Sequence, residues 1–275
     1  MLDMTRAYGL DFLFPMADEV VGASLRRAGE FARPELDVID KLMAKGGAFL
    51  DVGANIGTMA VPIAARHPAA RVVAIEANRH LAMILSTNAL ANRLTNLDVH
   101  HAAAGATAGL ARFPAPSLES AINFGALSFR GNPGSAPTET VRMCTLDEIA
   151  PPQTRVIKID VEGHETDVLA GAPNLLASRN QSWVIEHKGD ANSIAITQKF
   201  LDAGYGVFWL FAPFVTPNAT KRTDVQTSVS GDTNILAIPG GEPPVPMTRI
   251  HSANDTRPGS IDGYPYLLDY GFRSA

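Results

Sequence analysis

The stretch "FLDVGANIGTMAV", residues 49–61, decides how the rest of the chain is read. An apolar run carries Asp51, breaks at Gly53, Asn55 and Gly57, and leads into a segment of helical character. Short apolar runs bounded by turn residues suit strands buried on both faces. Similar runs recur at "RVVAIEA" (71–77), "LDVHHAA" (97–103), "RVIKIDV" (155–161), "SWVIEH" (182–187) and "YGVFWL" (205–210). Helix-like segments at 57–66, 78–92, 165–178 and 192–203 separate most of them. Such alternation predicts a parallel sheet covered by helices on both faces. "NILAIP" (234–239) follows its predecessor after a loop without a clear helix, so an antiparallel edge strand is expected there.

The chain has 275 residues, 46% apolar and 19% charged, with a formal net charge of -5. That length supports one large α/β domain with additions. Residues 1–45 are expected to form an N-terminal helical segment on the core. Its clearest part is 34–45, with apolar residues at 36, 38, 39, 42 and 43 and Gly46–Gly47 as the stop. The central domain would run over 46–240, with a Gly-, Pro- and Ser-rich loop at 105–140, and 241–275 would be an irregular tail.

The mild acidity argues against a broad nucleic-acid surface. The single cysteine, Cys144, has no partner for an internal disulfide and reads as a small buried hydrophobe, which points to a reducing compartment. The first twenty residues carry Asp3, Asp11, Asp18 and Glu19, and the apolar stretch 206–215 falls short of the ~20 residues that span a bilayer. A soluble, cytoplasmic protein without membrane insertion is expected. Its oligomeric state is open, a homodimer included.

In parallel α/β sheets ligands bind beyond the carboxyl ends of the strands, where strand order reverses. The glycine-bearing loop lets backbone approach a ligand there, and Glu76 at the tip of the next strand suits ribose hydroxyls. A dinucleotide fingerprint wants glycine at its first, third and sixth positions, which here are Gly53, Asn55 and Thr58. Two of the three fail. A carboxylate at Asp51 also suits an ammonium group and disfavours a pyrophosphate. The pattern therefore favours a methyl donor with an amino-acid end.

The segments around "FLDVGANIGTMAV", "VVAIEANRHLAMILSTNALAN", "TLDEI" and "VIKIDVEGHETDVLAGA" resemble, in this order, the FkbM family of S-adenosylmethionine-dependent methyltransferases. The resemblance runs from about Gly29 to His187. It implies a class I, Rossmann-like sheet of seven mostly parallel strands, and methylation of a hydroxyl on a sugar, polysaccharide or natural-product scaffold. By the same resemblance Asp51, Gly53, Asn55 and Gly57 would line the methionine end of the cofactor. Glu76 would hold the ribose, with Asn78 close by. Adenine would lie near Ala103, and Asn123 in "NFGALSF" would close over the cofactor.

The second dense constellation is "KIDVEGHE" (158–165), followed one strand later by "WVIEHKGD" (183–190). Carboxylates cost several kcal/mol to bury unsatisfied, so Asp160, Glu162, His164, Glu186 and His187 at two strand tips are candidate catalytic residues. Methyl transfer to a hydroxyl needs that hydroxyl positioned and its proton accepted. A histidine or carboxylate could be the base; alternatively Asp160 and Glu186 could hold a divalent cation that acidifies the hydroxyl. Two other functions stay open at this point: an NAD-dependent oxidoreductase or epimerase, and a non-catalytic binding protein of the same fold. No basic stripe and no Asn-Pro-Pro-aromatic motif supports a nucleic-acid methyltransferase.

Overall fold

The computed structural model describes residues 1–129, 137–221 and 229–274. Parts of two expected irregular regions, residues 130–136 and 222–228, lie outside the described residues.

The chain opens with a β-hairpin, β1 (Leu2–Ala7) and β2 (Leu10–Pro15), followed by α1 (Val21–Ala28) and α2 (Arg33–Met43). The expected helical segment is therefore a hairpin over its first fifteen residues. Tyr8 and Gly9 both take positive φ, the two-residue turn whose twist suits a tight hairpin. Phe12 and Phe14 alternate inward and are fully buried, a strand period and not a helical one.

Then follow β3 (Ala48–Val52), α3 (Ala60–Arg66), β4 (Arg71–Glu76), α4 (Arg79–Ala91) and β5 (Leu97–His101). A small excursion holds β6 (Ala103–Ala104), β7 (Gly109–Pro114), β8 (Thr138–Cys144) and the short α5 (Leu146–Ile149). The chain returns through β9 (Thr154–Ile159), α6 (Glu165–Ala170), α7 (Pro173–Ser178), β10 (Ser182–Glu186) and α8 (Ala191–Asp202). It closes with β11 (Tyr205–Pro213), β12 (Gly231–Pro239) and β13 (Arg249–Ile250).

The main sheet has the order β13-β11-β12-β10-β9-β3-β4-β5. Strands β5, β4, β3, β9 and β10 are mutually parallel. β12 is antiparallel to both of its neighbours, β10 and β11. The sheet thus has eight strands, not seven, because the two-residue β13 adds an edge beyond β11. The antiparallel strand expected at the edge lies inside the sheet. The crossover through α8 sets β11 one place away from β10, and β12 returns to fill the gap. Its run Thr233–Ile238 is buried throughout, as an internal strand requires.

Residues 105–140 are not wholly a loop: β7 and β8 pair with β6 in a second, three-stranded sheet. The tail after 240 folds back on the core. Tyr266 Oη both accepts from Phe211 N and donates to Phe211 O, each at 2.7 Å, and Tyr270 Oη donates to Asp37. Cys144 is buried and free, as a small core residue. Among the described residues no helix is long and apolar enough to cross a membrane.

Strand order reverses between β3 and β9, so a crevice opens beyond their carboxyl ends. One side chain ties three pieces together behind it. Asn88 on α4, fully buried, accepts from Leu13 N and donates to the carbonyls of Leu13 and Ile56. Removing it strands buried backbone groups, each costing about 1–3 kcal/mol. Asn88→Ala is therefore expected to lower unfolding stability by about 3 kcal/mol in urea titration, with little change in the slope.

Candidate active site

Three left-handed residues build the loop after β3: Gly53 (φ 81), Asn55 (φ 52) and Gly57 (φ 91). Gly53 is dictated by contact as well as by φ. A Cβ there would sit 1.8 Å from the Asp160 carbonyl oxygen at the end of β9. Gly57 serves a different need. A Cβ there would strike Leu85 of α4 at 2.2 Å, so this glycine lets two helices approach.

Glu76, at the tip of β4, holds the loop in shape. Its two carboxylate oxygens accept from Asn55 N at 2.8 Å and from Asn78 N at 2.7 Å. Burial pushes its pKa up to about 7 even though these two donors favour the charged form. Asp51 lies inside β3, 1% exposed. Its Oδ2 accepts from Ala60 N at 3.1 Å, and its Oδ1 is buried without a hydrogen-bond partner among the described residues. Burial raises its pKa to about 6, with Lys158 opposing.

These groups line one cavity that opens to solvent. Asp51, Gly53, Asn55, Glu76, Ala103 and Asn123 all face it. Asn123 caps a short 3-10 turn, its Oδ1 accepting from Gly125 N. Phe113, Leu127 and Phe129 give this end an apolar wall. Gly57 and Asn78 are not part of the lining. Asn78 is the N-cap of α4, its side chain accepting from His80 N and Leu81 N, while its backbone N–H holds Glu76.

Of the acidic tips, Asp160, Glu162 and His164 line the cavity and Glu186 and His187 do not. Lys158 donates to Asp160 Oδ2 at 2.8 Å and lies 4.0 Å from Glu35 Oε1. Burial works against the Lys158 charge, but Asp160, Glu35 and Asp51 outweigh it and keep the lysine protonated. Glu162 pairs with Lys188, which also reaches Glu186 Oε2 at 3.2 Å. Asp160, Glu162 and Glu186 bring one carboxylate oxygen each within 4.8 Å of one another.

His164 is held from the side: its Nδ1 meets Asp167 at 3.1 Å, its ring packs on Phe129, and its Nε2 lies near Gly105. His187 is set edge-on against Trp209, and burial lowers its pKa. The histidines therefore do not join Asp160 at one point.

Sequence reading passes over Glu35, Asp232 and the pair Phe31–Phe214, which also line the cavity. Glu35 sits in the first turn of α2, where an acid reads as a partner for the helix dipole. Asp232 precedes the apolar run of β12 in "SGDTN" and looks like a turn residue. Both are raised by burial, Glu35 to about 8 and Asp232 to about 7.

This strand order, with a glycine loop and an acid at successive parallel strand tips, defines a class I methyltransferase fold. The chain belongs to the FkbM methyltransferase family, whose domain matches residues 51–207. It is 29% identical over 164 residues to the hexuronic acid methyltransferase AglP of Haloferax volcanii, covering 57% of this chain and 64% of that protein. The chain thus spans less than two thirds of that relative. Among solved structures it is similar to an FkbM methyltransferase from Methylobacillus flagellatus (TM-score 0.48, 17% identity, 70% of this chain and 43% of that one). It is also similar to M. jannaschii TYW2 in complex with AdoMet (TM-score 0.44, 11% identity, 86% and 84%).

Two predictions follow from this geometry. Gly53→Ala combines a left-handed alanine, costing about 1–3 kcal/mol, with a backbone clash. Gly46, at φ 75, has open space around a Cβ, so Gly46→Ala pays the backbone cost alone. Urea titration should show the Gly53 variant less stable by more than that margin. Second, Glu35, Asp51, Glu76 and Asp232 hold raised pKa values in the folded state. The stability they contribute is full below about pH 4, where the unfolded acids are also protonated, and is lost as pH rises through 6 to 8. The urea midpoint of the ligand-free protein should fall between pH 5.5 and 8.5.

Proposed function

We propose that the protein is an S-adenosylmethionine-dependent O-methyltransferase acting on a hydroxyl of a sugar, glycan or natural-product acceptor, working in the cytoplasm. One observation carries the reading: the backbone of Gly53 lies against the carbonyl of Asp160. That contact sets the glycine loop of one strand beside the acidic tip of the next, inside a single cavity. A donor held by the loop would present its reacting end toward Asp160.

The residues present fit this cofactor. Asp51 Oδ1, buried and without a partner, would take its ammonium group. Glu76 keeps free lone pairs on both oxygens and would take the ribose hydroxyls. The apolar end at Ala103, Phe113 and Leu127 would take adenine. When bound, S-adenosylmethionine supplies a methyl group on a sulfonium sulfur, which departs as a neutral thioether.

The chain's own task is to place the acceptor hydroxyl and take its proton. Asp160 is the proposed base. Lys158 anchors its Oδ2 and fixes the carboxylate's orientation, leaving Oδ1 for the hydroxyl. Glu162, beside it, is committed to Lys188.

A divalent cation fits less well. Lys188 already bridges Glu162 and Glu186, and Glu186 does not face the cavity. The reaction is therefore proposed to run without a metal. An acceptor that is a sugar draws support from the relative named for hexuronic acid.

Calorimetry with S-adenosylhomocysteine tests the reading directly, since an absence of binding would end it. Asp160→Asn is expected to lower turnover by about 100-fold or more while the affinity for that product changes less than threefold. Exhaustive chelation should leave turnover unchanged. Loss that is restored by magnesium would return the acidic trio to a metal role.

A further inference from the structure

The acceptor end of the cavity is built from segments outside the family match at 51–207. Phe31 precedes α2, Glu35 lies in its first turn, Phe214 follows β11, and Asp232 begins β12. All four face the cavity together with Lys158 and Asp160.

Glu35 is the anomaly among them. It is 4% exposed, and its Oε1 has no hydrogen-bond partner among the described residues. Among the described residues its one ion-pair partner, Lys158, stands 4.0 Å away and is committed to Asp160 at 2.8 Å. A buried carboxylate oxygen without a donor is costly, and proteins keep such groups where a ligand completes them. Asp232 and Asp160 face the same space and repel Glu35, so the deficit is one of positive charge as well as of donors.

Among the described residues the cavity shows six carboxylates, Glu35, Asp51, Glu76, Asp160, Glu162 and Asp232, against Lys158 as its lining cation. In the proposed function Asp51 and Glu76 are answered by the donor, and Lys188 answers Glu162. Glu35 and Asp232 remain. An ammonium on the acceptor would supply donors and favour the ionised form of both groups, which burial opposes; a neutral hydroxyl would supply donors alone, and a carboxylate would add repulsion.

The rings of Phe31 and Phe214 stack nearly parallel, 5.2 Å apart and 16° from coplanar. They are held in place by backbone. Tyr8 Oη accepts from Phe31 N and donates to Phe31 O, and Ala32 N donates to the Phe214 carbonyl. A fixed apolar edge beside unanswered carboxylates matches a ring with an apolar face and a cationic substituent.

We infer that Glu35 and Asp232 select the acceptor, and that this acceptor is a polyhydroxylated ring bearing a protonated amine and no carboxylate, of the amino-sugar class. The inference rests on the methyl-transfer reading and deepens it. It gives the two carboxylates one role: they receive the ammonium while Phe31 and Phe214 meet the apolar face of the ring.

The test uses the full chain saturated with S-adenosylhomocysteine, whose binding is established first and by itself. Methyl α-glucosaminide, methyl α-glucoside and methyl α-glucuronide then serve as probes, with affinity read by ligand-observed NMR. The aminoglycoside should bind at least tenfold more tightly than the neutral glycoside, and the glucuronide most weakly. Glu35→Gln and Asp232→Asn, each checked for an unchanged melting profile and product affinity, should each reduce the amine preference at least fivefold. Either variant that folds suffices for this comparison. Binding of the glucuronide as tight as the aminoglycoside, an amine preference unmoved in both variants, or binding of none of the probes overturns the inference while leaving methyl transfer standing. Failure of the product itself to bind would instead remove the reading on which it rests.

Discussion

The structure depends on a place where no side chain fits. Gly53 meets the Asp160 carbonyl at a distance that excludes even a methyl group. The parallel pairing of β3 and β9 brings these two chain segments, more than a hundred residues apart, to one crevice. The rest of the cavity is arranged around that junction. Glu76 fixes Asn55 in the loop, Lys158 fixes Asp160 on the strand tip, and the small sheet of β6, β7 and β8 covers the apolar end. An ordinary residue at position 53 would push the loop from the strand and separate the two ends of the site.

The same geometry concentrates acidic groups that the surrounding side chains only partly offset. Asp51 and Glu35 lie deep, each with an oxygen lacking a hydrogen-bond donor, and burial is the largest cause of their raised pKa values. A fold selected for stability alone would fill such positions with apolar residues. Their retention is intelligible when ligands bring the missing donors, and the cost then becomes a source of binding specificity. Lys158 and Lys188 moderate the repulsion without removing it, and they hold Asp160 and Glu162 in defined orientations.

Much of the parallel core is legible in short apolar runs, because a strand covered on both faces needs no polar alternation. Asp51, Gly53 and Glu76 are legible for a related reason: an acid or glycine at the end of such a run has few structural explanations. The N-terminal hairpin was hidden by its shortness and by Pro34, which draws attention to the helix behind it, although the inward Phe12 and Phe14 carry a period of two. The position of β12 between β10 and β11 cannot be read locally, since a buried run says nothing about its neighbours. Gly57 and Asn78 illustrate the converse. Each reads as a ligand residue in its motif, and the structure shows for each a packing or capping role that the local sequence does not announce.

By itself the sequence determined the class of fold and the family, because these rest on patterns confined to single strands and their following turns. The tertiary structure alone decided which acids face one another. Glu35, Asp232, Phe31 and Phe214 come from helix, strand and loop segments far apart in the chain. Their meeting is a product of sheet order and of how α2 lies against β11. Proximity and burial create the unanswered charge, and neither is a property of a residue in its local sequence.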